Sequence, residues 1–595
     1  MRTMETRITR RGFAETLGAI ALSPSLGFCA EDKPLARIGV ITDTHIGRTK
    51  ESCDRVKQAH ELFRALSVDM FANVGDIADH HFPTGYAAYR ESVEEAYADV
   101  PADKRPKELF VYAGHDFLFY KPGKLHDFAS DMDAAADMKR LLKIPHDLYT
   151  AGEVNGFPYV VIPQSGFCKK FDEALFEKMV DDAVKKHPGK PVFVFTHVPP
   201  EKTTRAGGGS QLERRILNKY PQVVNLSGHV HGSLQEARSI WQGEFTSVSV
   251  GCLQNWGLGL PGGGPVKRMQ NYGALVIDVY SNRLMFRRFD VRDRKEDSPW
   301  MIPWPYDPAS APYRLEAYRA ALPVPAFAPG AAEKVTFVPD ATPFSTLAVT
   351  FPCAAGAKAR PFAYRIELSR KDGSGAWGTF ARKFIFGEFY LREFERPETL
   401  SCPFDATYFD PGREYRATIA PRNSLGGEGA EIAKEFTAPA QAVSRKLVWK
   451  TENPAADCVF RCGAKGAAKS PAKDGFFEVK KGPAMLHFPD GVWEGPAGAR
   501  FMLTFDMQTI QEKRPCWSVA LRNLKPTAGR GQIKALKDAA KRMYTVPGDS
   551  GLLRYVVEFE KPAAVCTYAL LLNGETSGKV RFTYAKIERL AKAAK

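Results

Sequence analysis

Short apolar runs alternate with longer amphipathic stretches through the first half of the chain. The runs that predict β-strands end in polar residues; they are RIGVITD, VDMFANVGD, KELFVYAGHD, GFPYVVIPQS, KPVFVFTHVPP and PQVVNLSGHVHG. Apolar residues at helical spacing predict helices over ESCDRVKQAHELFRALS and DEALFEKMVDDAVKKH. Because the strands are mostly apolar on both faces, their sheet should be covered on both sides. The pattern therefore predicts an α/β layered core over residues 36–297.

The pattern changes after this core. Residues 298–312, SPWMIPWPYDPASAP, are rich in Pro and Trp and predict a linker over 298–332. Residues 333–440 show short strands with turn signals, at the spacing of an all-β sandwich. Within them, YRATIAPRNSLGGEG is similar to the last hairpin of a fibronectin type III domain. Residues 445–595 are again β-rich and predict a second sandwich, of jelly-roll or carbohydrate-binding type.

Length and charge support several domains but do not name a partner. A chain of 595 residues is too long for one core, so three or four domains are expected. The net charge of +15 favours anionic partners, but Lys and Arg are scattered, and nothing indicates nucleic acid specifically. A basic soluble surface and attraction of phosphorylated substrates or anionic polymer both remain open.

Residues 1–31 resemble a bacterial twin-arginine export signal. Arg10 and Arg11 precede Gly-Phe and a short apolar run over 14–26. The resemblance implies an exported protein, periplasmic or extracellular. A basic first helix of the folded domain and lipidation at Cys29 are the alternatives. No later segment has about 18 unbroken apolar residues, so no transmembrane span is expected. In an exported protein, Cys353–Cys402 and Cys516–Cys566 are candidate disulfides, and the spacing leaves the pairing open.

Histidine is concentrated in the first half, since eleven of the twelve lie before residue 232. Polar fragments stand where predicted strands end; they are Asp43-Thr44-His45, Gly75-Asp76, Gly114-His115-Asp116, Thr196-His197 and Gly228-His229-Val230-His231. Loops that leave the carboxyl ends of strands in an open α/β sheet meet at one edge. These fragments can therefore converge on one site.

The residue types suit a pair of divalent metal ions. Two such ions about 3.5–4 Å apart can generate a hydroxide and hold an in-line phosphoryl displacement. Carboxylate and imidazole ligands suit Zn, Fe and Mn. On an extended strand, residues two apart point the same way, so Asp43 and His45 should reach one ion. The same period applies to His229 and His231.

In order and spacing, these fragments over residues 36–290 resemble the pattern of the calcineurin-like metallophosphoesterases. The resemblance implies a four-layer α/β/β/α sandwich with two metal ions. Asp43, His45, Asp76 and His231 would hold the first ion. Asp76 would bridge to the second, which His197 and His229 would also bind. His115 would protonate or stabilise the leaving group, and Asp116 would orient His115.

One position departs from the pattern. The Asn that the family uses as a ligand of the second metal falls on Gly114, which has no side chain. Three protein ligands would remain there, enough for a catalytic shell completed by water or substrate. A dimetal enzyme with a weakened second site, a mono-metal enzyme, and a fold kept for binding are the three outcomes that the residues leave open.

We therefore expect an exported hydrolase of phosphomonoesters or phosphodiesters, acting by attack of a metal-bound hydroxide. The alternative is a catalytically weak periplasmic or surface protein whose sandwiches hold glycan or another protein. Other polar residues near the fragments receive modest roles. His80 and His81 are expected at the surface or as substitute ligands, Asp79 as a loop or helix cap, and Asn255 and Trp256 in the cleft or in ordinary packing.

Overall fold

The computed structural model describes residues 33–592, apart from short gaps. The gaps are residues 50, 80–82, 122–123, 128–130, 167–170, 205–208, 255, 259–263, 266, 270–271, 340–345, 355–359, 372–374, 388, 390–395, 406–408, 410–411, 440–442, 463–466, 480–483, 490, 497, 512–515, 525–534, 539–543, 548, 561–566 and 574–577. The predicted export signal, His80, His81, Asn255 and Cys566 lie outside the described residues.

Strands and helices alternate through the N-terminal domain. The strands are β1 (Ala36–Ile41), β2 (Met70–Asn73), β3 (Lys107–Phe110), β4 (Leu118–Lys121), β5 (Lys124–Asp127), β6 (Thr150–Val154), β7 (Phe157–Val161), β8 (Val192–Phe195), β9 (Val223–Ser227), β10 (Ile240–Gln242), β11 (Thr246–Ser249), β12 (Trp256–Leu258), β13 (Gly264–Pro265), β14 (Lys267–Met269), β15 (Gly273–Val279), β16 (Arg283–Asp290) and β17 (Lys295–Pro303). The helices are α1 (Ser52–Leu66), α2 (Pro83–Ala96), α3 (Gly114–Phe117), α4 (Asp131–Leu142), α5 (Glu173–Lys186) and α6 (Gln211–Leu217).

Local sequence explains where these helices begin and which face they bury. At α5, the carboxylate of Asp172 accepts a hydrogen bond from the backbone N–H of Leu175, which satisfies one of the helix's open donors. Phe176, Val180 and Ala183 follow at helical spacing and are all buried. The helix therefore lies with one apolar stripe against the sheet, as its sequence pattern predicts.

Two six-stranded sheets form the centre of the domain. Their strand orders are β17-β16-β15-β1-β2-β3 and β10-β11-β9-β8-β7-β6. Strands β1, β2 and β3 run parallel, as do β7, β8, β9 and β11. The carboxyl ends within each parallel set therefore share one edge, and the predicted site fragments follow β1, β2, β3, β8 and β9.

Three apolar cores separate four layers. Val40 and Ala72 of the first sheet meet Phe195 and Leu226 of the second in a central core. A second core packs the outer face of the first sheet against α1, α2 and α4. A third packs the second sheet against α5 and α6. The predicted four-layer α/β/β/α sandwich is confirmed.

The predicted linker begins too early. Strand β17 pairs with β16 through Pro303, so residues 298–303 complete the first sheet. Trp300 and Ile302 are buried in the central core, because their side chains alternate inward along an edge strand. The segment that follows contains α7 (Leu315–Ala321), and Tyr306 and Tyr313 pack against the same core. The first part of the segment predicted as a Pro- and Trp-rich linker is therefore a strand of the first sheet.

Residues 336–437 form the first sandwich. Its strands are β18 (Thr336–Pro339), β19 (Thr346–Pro352), β20 (Ala363–Lys371), β21 (Trp377–Phe386), β22 (Thr399–Asp405), β23 (Glu414–Arg422) and β24 (Ile432–Thr437). They make a three-stranded sheet, β18-β19-β22, and a four-stranded sheet, β21-β20-β23-β24. Cys402 lies in β22, in register with Val349, and neither Cys402 nor Cys353 forms a disulfide. The candidate Cys353–Cys402 bridge is therefore not present.

Residues 443–592 form the second sandwich. Its elements are β25 (Val443–Thr451), α8 (Pro454–Asp457), β26 (Val459–Cys462), β27 (Ala467–Lys469), β28 (Phe477–Val479), β29 (Ala484–His487), β30 (Arg500–Gln511), β31 (Cys516–Leu524), β32 (Ala535–Asp538), β33 (Tyr544–Pro547), β34 (Asp549–Glu560), β35 (Thr567–Asn573) and β36 (Gly578–Lys592). Phe501, Leu503 and Phe505 of β30 pack in one core with Leu486 and Leu570 of the facing sheet. Both predicted sandwiches are thus present.

One strand of the N-terminal domain joins the second sandwich. Gly264 and Pro265 of β13 pair antiparallel with Thr545 and Tyr544 of β33. Sequence reasoning missed this contact, because a two-residue strand in a Gly-rich run carries no periodic signal. Among the described residues, no helix is long and apolar enough to cross a membrane.

Candidate metal centre

The predicted site residues converge at one end of the two facing sheets. Loops after β1, β2 and β3 of the first sheet carry Asp43, His45, Asp76 and His115, and loops after β8 and β9 of the second carry His197, His229 and His231. Asp43, His45, Asp76 and His197 are all buried. The fragments that are far apart along the chain therefore do form one cluster.

Four side chains offer ligand atoms to one point. Asp43, His45, Asp76 and His231, called here the first group, place their ligand atoms within 4.8 Å of one another. Asp43 Oδ1 lies 3.0 Å from Nε2 of His231, and the Nε2 atoms of His45 and His231 are 3.2 Å apart. This is the set that the sequence assigns to the first metal.

Three side chains form the second group: Asp76, His197 and His229, again with ligand atoms within 4.8 Å of one another. Asp76 Oδ2 lies 3.1 Å from His197 Nε2 and 3.8 Å from His45 Nε2. Asp76 is common to both groups, which is the position that a bridging carboxylate requires. His229 is the exposed member of the set.

Hydrogen bonds to the far sides of these ligands fix their orientation. Asp43 Oδ2 accepts from Thr42 Oγ1 at 2.8 Å and from the N–H of His229 at 2.9 Å, leaving Oδ1 toward the cluster. Asp76 Oδ1 accepts from the N–H of His115 at 3.0 Å. His197 Nδ1 lies 2.8 Å from Val74 O, so Nδ1 carries the proton and donates it there. Asp43 Oδ1, Asp76 Oδ2 and His197 Nε2 are thus the atoms that point toward the centre.

The free atoms do not satisfy one another. In the neutral ring, with the proton of His197 on Nδ1, the Nε2 lone pair faces the carboxylate oxygen of Asp76, an arrangement of two acceptors that a proton or a cation must relieve. Asp43 Oδ1 and His197 Nε2 are buried and make no hydrogen bond to any described residue. A buried acceptor without a donor costs about 1–3 kcal/mol. Divalent cations would satisfy these atoms, so the residues present fit the predicted metals.

Electrostatics point the same way. Burial alone would raise the pKa of the Asp43 carboxyl, but His231 beside it holds that pKa well below its usual range. Burial would lower the pKa of His197, yet the Asp76 carboxylate outweighs it and raises the pKa of His197 to about 9. The carboxylates are therefore ionised and draw positive charge into the cluster, as a proton on imidazole or as a metal ion.

Backbone conformation departs from the sequence prediction. Asp43 (φ 50°) and His45 (φ 39°) lie beyond β1 in left-handed conformation, as do Asp76 (φ 51°), His229 (φ 66°) and His231 (φ 45°). The prediction that residues two apart lie on an extended strand and share a direction is therefore wrong for Asp43 and His45 and for His229 and His231. Tight left-handed turns aim these side chains instead, and each costs on the order of 1–3 kcal/mol. Such strain clusters where function requires a fixed geometry.

Two glycines allow the loops to approach so closely. A Cβ on Gly75 (φ 105°) would meet Ala113 Cβ and lie 2.8 Å from His197 Nδ1. A Cβ on Gly228 would lie 2.6 Å from Asp43 Oδ2 and would also collide with Thr42 Oγ1. The glycines of the Gly-Asp and Gly-His motifs are thus packing requirements of the site itself.

A second carboxylate, that of Asp79, lies beside His115. Its Nδ1 lies 3.5 Å from Oδ1 of Asp79, which is also 3.4 Å from His45 Nδ1 and accepts from Arg48 Nη2 at 2.7 Å. Arg48 and His45 hold the pKa of Asp79 below its usual range in spite of burial. Asp79, predicted only as a loop or helix cap, therefore lies beside both imidazole rings.

The Asp116 carboxylate binds the backbone of the loop after β2, which carries Asp76. Its carboxylate accepts from the N–H groups of Ile77 (3.1 Å) and Ala78 (3.3 Å) and from Tyr86 Oη (3.1 Å). Burial and the nearby Asp76 charge raise the pKa of Asp116 to about 7. Because Ile77 and Ala78 directly follow Asp76, Asp116 fixes the position of that ligand, and its role in orienting His115 stays a prediction.

At Gly114, where the family pattern has Asn, the backbone N–H makes a hydrogen bond to a buried glutamine. The N–H of Gly114 donates to Oε1 of Gln164 at 2.7 Å, and the N–H of Gln164 donates to Tyr112 O at 2.8 Å. Gln164 is almost fully buried. This glutamine after β7 anchors the start of α3, so the loop keeps its course without the Asn side chain.

Sequence reasoning missed three residues that build the site. Asp79, Gln164 and Gln254 all carry hydrogen bonds to the ligand loops, and Gln254 Nε2 donates to Thr44 O at 3.0 Å. Only Asp79 had an available signal, since it follows the Gly-Asp motif by three residues. The side chain of Trp256 is not described, so its proposed place in the cleft stays a prediction.

Comparison with known proteins agrees with this geometry. Residues 36–233 match the family model of the calcineurin-like phosphoesterases. No curated protein matched the chain. The N-terminal unit is therefore a metallophosphoesterase domain with α/β content, and β-sandwich regions follow it.

Solved structures give distant similarities. A dimetal phosphatase from Danio rerio is 12% identical with a TM-score of 0.31, over 46% of this chain and 100% of that chain. Purple acid phosphatase PPD1 from yellow lupin (Lupinus luteus) seeds is 11% identical with a TM-score of 0.33, over 45% and 53%. The FN1–FN3 domains of chicken CNTN1 are 11% identical with a TM-score of 0.15, over 53% and 80%.

Proposed function

We propose that this chain is a metal-dependent hydrolase of phosphoric esters, exported from a bacterial cell. The observation that carries the proposal is the pair of ligand groups that share Asp76. A single structural ion would need only one closed set of four ligands. Two sets joined by one carboxylate are the arrangement expected of a dinuclear hydrolytic centre.

The first group would hold one divalent ion and the second group another, both of Mn, Fe or Zn type. When bound, the ions would supply Lewis-acid charge at the phosphate and lower the pKa of a water molecule. The chain supplies the rest. His115, partly exposed beside the cluster, would donate a proton to the leaving oxygen, and Asp79 Oδ1 lies 3.5 Å from its Nδ1.

Gly114 limits how firmly the second ion is held. The second group provides one carboxylate and two imidazoles, and it lacks the amide that the family pattern supplies. Three ligands with a position left for water or substrate still define a catalytic shell. We therefore expect a dimetal enzyme whose second ion is bound more weakly than its first.

A direct test compares hydrolysis of an aryl phosphate monoester and an aryl phosphate diester by the full chain loaded with Mn²⁺, Zn²⁺ or Fe²⁺. Asp76→Asn should abolish turnover of whichever substrate is cleaved, since Asp76 belongs to both groups. Asp147→Asn, at a side chain exposed by 84%, is the matched control and should be silent. Equal turnover in the Asp76→Asn variant and the wild type would refute the proposal.

Export rests on the sequence of residues 1–31 and needs its own test. Fractionation of a bacterium expressing the full chain should place the protein outside the cytoplasm. Replacing Arg10 and Arg11 by Lys should keep it inside, because the twin arginines are the element that the export receptor reads. Identical fractionation of both forms would remove this part of the proposal.

The rival function, glycan binding by the sandwiches, has less support. Glycan sites commonly present aromatic side chains to solvent, with the ring face available for stacking. In both sandwiches, no Trp, Tyr or Phe whose burial is described is exposed. We therefore place the activity in the N-terminal domain, and glycan binding by the sandwiches stays a prediction that a glycan array with the full chain would check.

A further inference from the structure

A cavity of about 410 Å³ lies between the N-terminal domain and the first sandwich. The N-terminal domain contributes residues 202–204 and 238–241 to its wall, and the other side comes from α7 and from the hairpin at residues 424–426. Thr204 follows His197 by seven residues and Arg238 follows His231 by seven. None of the predicted metal ligands lines this interdomain cavity, so the proposed hydrolysis leaves it unexplained.

The cavity is held open by specific contacts rather than by loose packing. Asn423 Oδ1 accepts from the N–H groups of Leu425 (3.1 Å) and Gly427 (2.8 Å), and its Nδ2 donates to Pro323 O at 3.3 Å. A Cβ on Gly427 would lie 2.8 Å from Asn423 Nδ2. The sequence NSLGG over residues 423–427 therefore suits this hairpin, because the asparagine side chain holds the turn against the linker and the second glycine leaves room for it.

A second set of contacts ties the hairpin and α7 together and to the N-terminal domain. The N–H of Ala237 donates to Ser424 Oγ at 3.2 Å, and Arg319 Nε donates to Leu425 O at 3.3 Å. The walls on both sides of the cavity are therefore fixed relative to each other, as a binding site requires.

The lining is cationic. Lys202, Arg238 and Arg319 line the cavity, and no Asp or Glu does. Among the described residues, Lys202 and Arg319 have no acidic partner. Arg238 pairs through Nε with buried Glu236, yet its Nη2 is buried without a hydrogen bond to any described residue. Lys202 and Arg319 therefore leave net positive charge in the recess, which attracts an anion, and guanidinium groups suit phosphate and carboxylate.

The same recess has aromatic walls. Trp241, Tyr313 and Tyr318 line it, with the two tyrosine rings 5.0 Å apart in an edge-to-face pair. Tyr313 is fixed because its Oη accepts from Met301 N at 2.9 Å and its own N–H donates to Gln242 Oε1 at 3.0 Å. Rigid aromatic surface beside cations suits a ligand that has both a ring and a negative charge.

One buried polar group on the lining has no hydrogen-bond partner in the part of the chain that the structure describes. Thr204 is only 4% exposed, and its Oγ1 makes no hydrogen bond to any described residue. Leaving a buried hydroxyl unpaired is costly, and a ligand with hydroxyl or phosphate oxygens would satisfy it. This observation is independent of the charge of the lining.

We propose that the interdomain cavity binds a small organic anion in which a phosphate or carboxylate is joined to a ring. Arg238, Arg319 and Lys202 hold the anionic group, and Trp241, Tyr313 and Tyr318 contact the ring. The site goes beyond hydrolysis at the metal centre and does not depend on it. A phosphorylated nucleoside, a sugar phosphate and a uronic acid share this chemistry and are distinguished by experiment.

The test is calorimetric titration of the full chain after chelator treatment, so that hydrolysis does not consume the probes. The probes are adenosine monophosphate, glucose 6-phosphate and glucuronate, with inorganic phosphate and adenosine as the separated parts. At least one anionic ring compound should bind one per chain, at least about tenfold more tightly than either part alone. Arg238→Ala with Arg319→Ala should weaken that binding at least about tenfold.

Two further variants keep the result interpretable. Thermal unfolding will show whether the Arg238→Ala/Arg319→Ala variant is folded. Lys202→Glu changes only the charge of an exposed residue at the rim of the cavity, so it should keep the fold and still weaken binding. Arg140→Ala, at an exposed arginine of α4, is the matched control and should bind as the wild type does. Absence of binding by all three ring compounds, equal binding of inorganic phosphate, or unchanged binding in both Arg238→Ala/Arg319→Ala and Lys202→Glu would overturn the proposal.

Discussion

The first and second groups of ligands share Asp76 but differ in number and burial. The first group has four members, all buried, and its imidazoles approach within 3.2 Å. The second has three, and His229 is exposed. Both weaknesses, the missing Asn side chain at Gly114 and the exposed His229, concern the second ion. We therefore expect weaker metal binding at the second group only, and tight binding at the buried first group.

The largest expected effect comes from the residue that the groups share. Asp76→Asn removes the negative oxygen from both groups at once, so turnover should fall on the order of 10³-fold or more. Metal analysis should show loss of both ions. Retention of one tightly bound ion would show that Asp76 is not common to both sites.

A next test separates the groups. His231→Asn should weaken the first ion and lower turnover by about 10²-fold, because His231 is buried against Asp43 at 3.0 Å. His229→Asn should affect only the second ion and lower turnover less, by about tenfold, since that ligand is exposed and its site already incomplete. Steady-state kinetics at varied Mn²⁺ concentration measure both. Equal effects of the two variants would contradict the claim that the two groups bind their ions with different affinity.

A gain is expected from Gly114→Asn. The φ of Gly114 is not in the left-handed region, so an asparagine fits the backbone, and its amide oxygen would add the ligand that the family pattern has. The second ion should bind about tenfold more tightly. Titration of the metal-free variant with Mn²⁺ checks this; Gly114→Ala is the control and should leave the affinity unchanged.

The last effect concerns stability rather than turnover, at the buried carboxyl of Glu213 in α6. Burial raises the pKa of Glu213 to about 7, although Ser165 Oγ donates to it at 2.7 Å. A folded-state pKa above the unfolded value means that the folded protein binds the proton more tightly. Stability should therefore fall as pH rises from about 4.5 to 7, by about 3 kcal/mol.

Glu213→Gln is neutral at every pH and should remove this contribution. Denaturant unfolding of both forms at several pH values measures the difference between them. If the difference does not change between pH 4.5 and 7, Glu213 is ionised throughout or compensated by a group outside the described residues.

Sequence patterns predicted the layers and the ligand residues because both depend on local signals. Apolar runs define β1 to β3 and β7 to β9, and the polar fragments stand at their ends. The reason given for the aim of Asp43 and His45 was wrong, since left-handed turns and not the strand pleat direct them. Turn conformation of Asp and His is weakly encoded in sequence.

Contacts between distant segments were not predictable. Nothing local indicates that Asp79 would lie 3.5 Å from His115, because this approach depends on how the loops after β2 and β3 pack. The same holds for Gln164 beneath Gly114 and for the interdomain cavity. Strand β17 was missed for another reason, since its two prolines and the Pro- and Trp-rich residues after it resemble a linker, although Trp300 and Ile302 are buried.

The central claim is that two ions bind, with unequal affinity, around one shared carboxylate. Titration of the metal-free full chain with Mn²⁺, followed by electron paramagnetic resonance, measures the number, affinity and magnetic coupling of the ions together. The account predicts two classes of site per chain, a coupled pair when both are filled, and loss of the weaker class alone in His229→Asn. One class of site in the wild type, unchanged in His229→Asn, would contradict it.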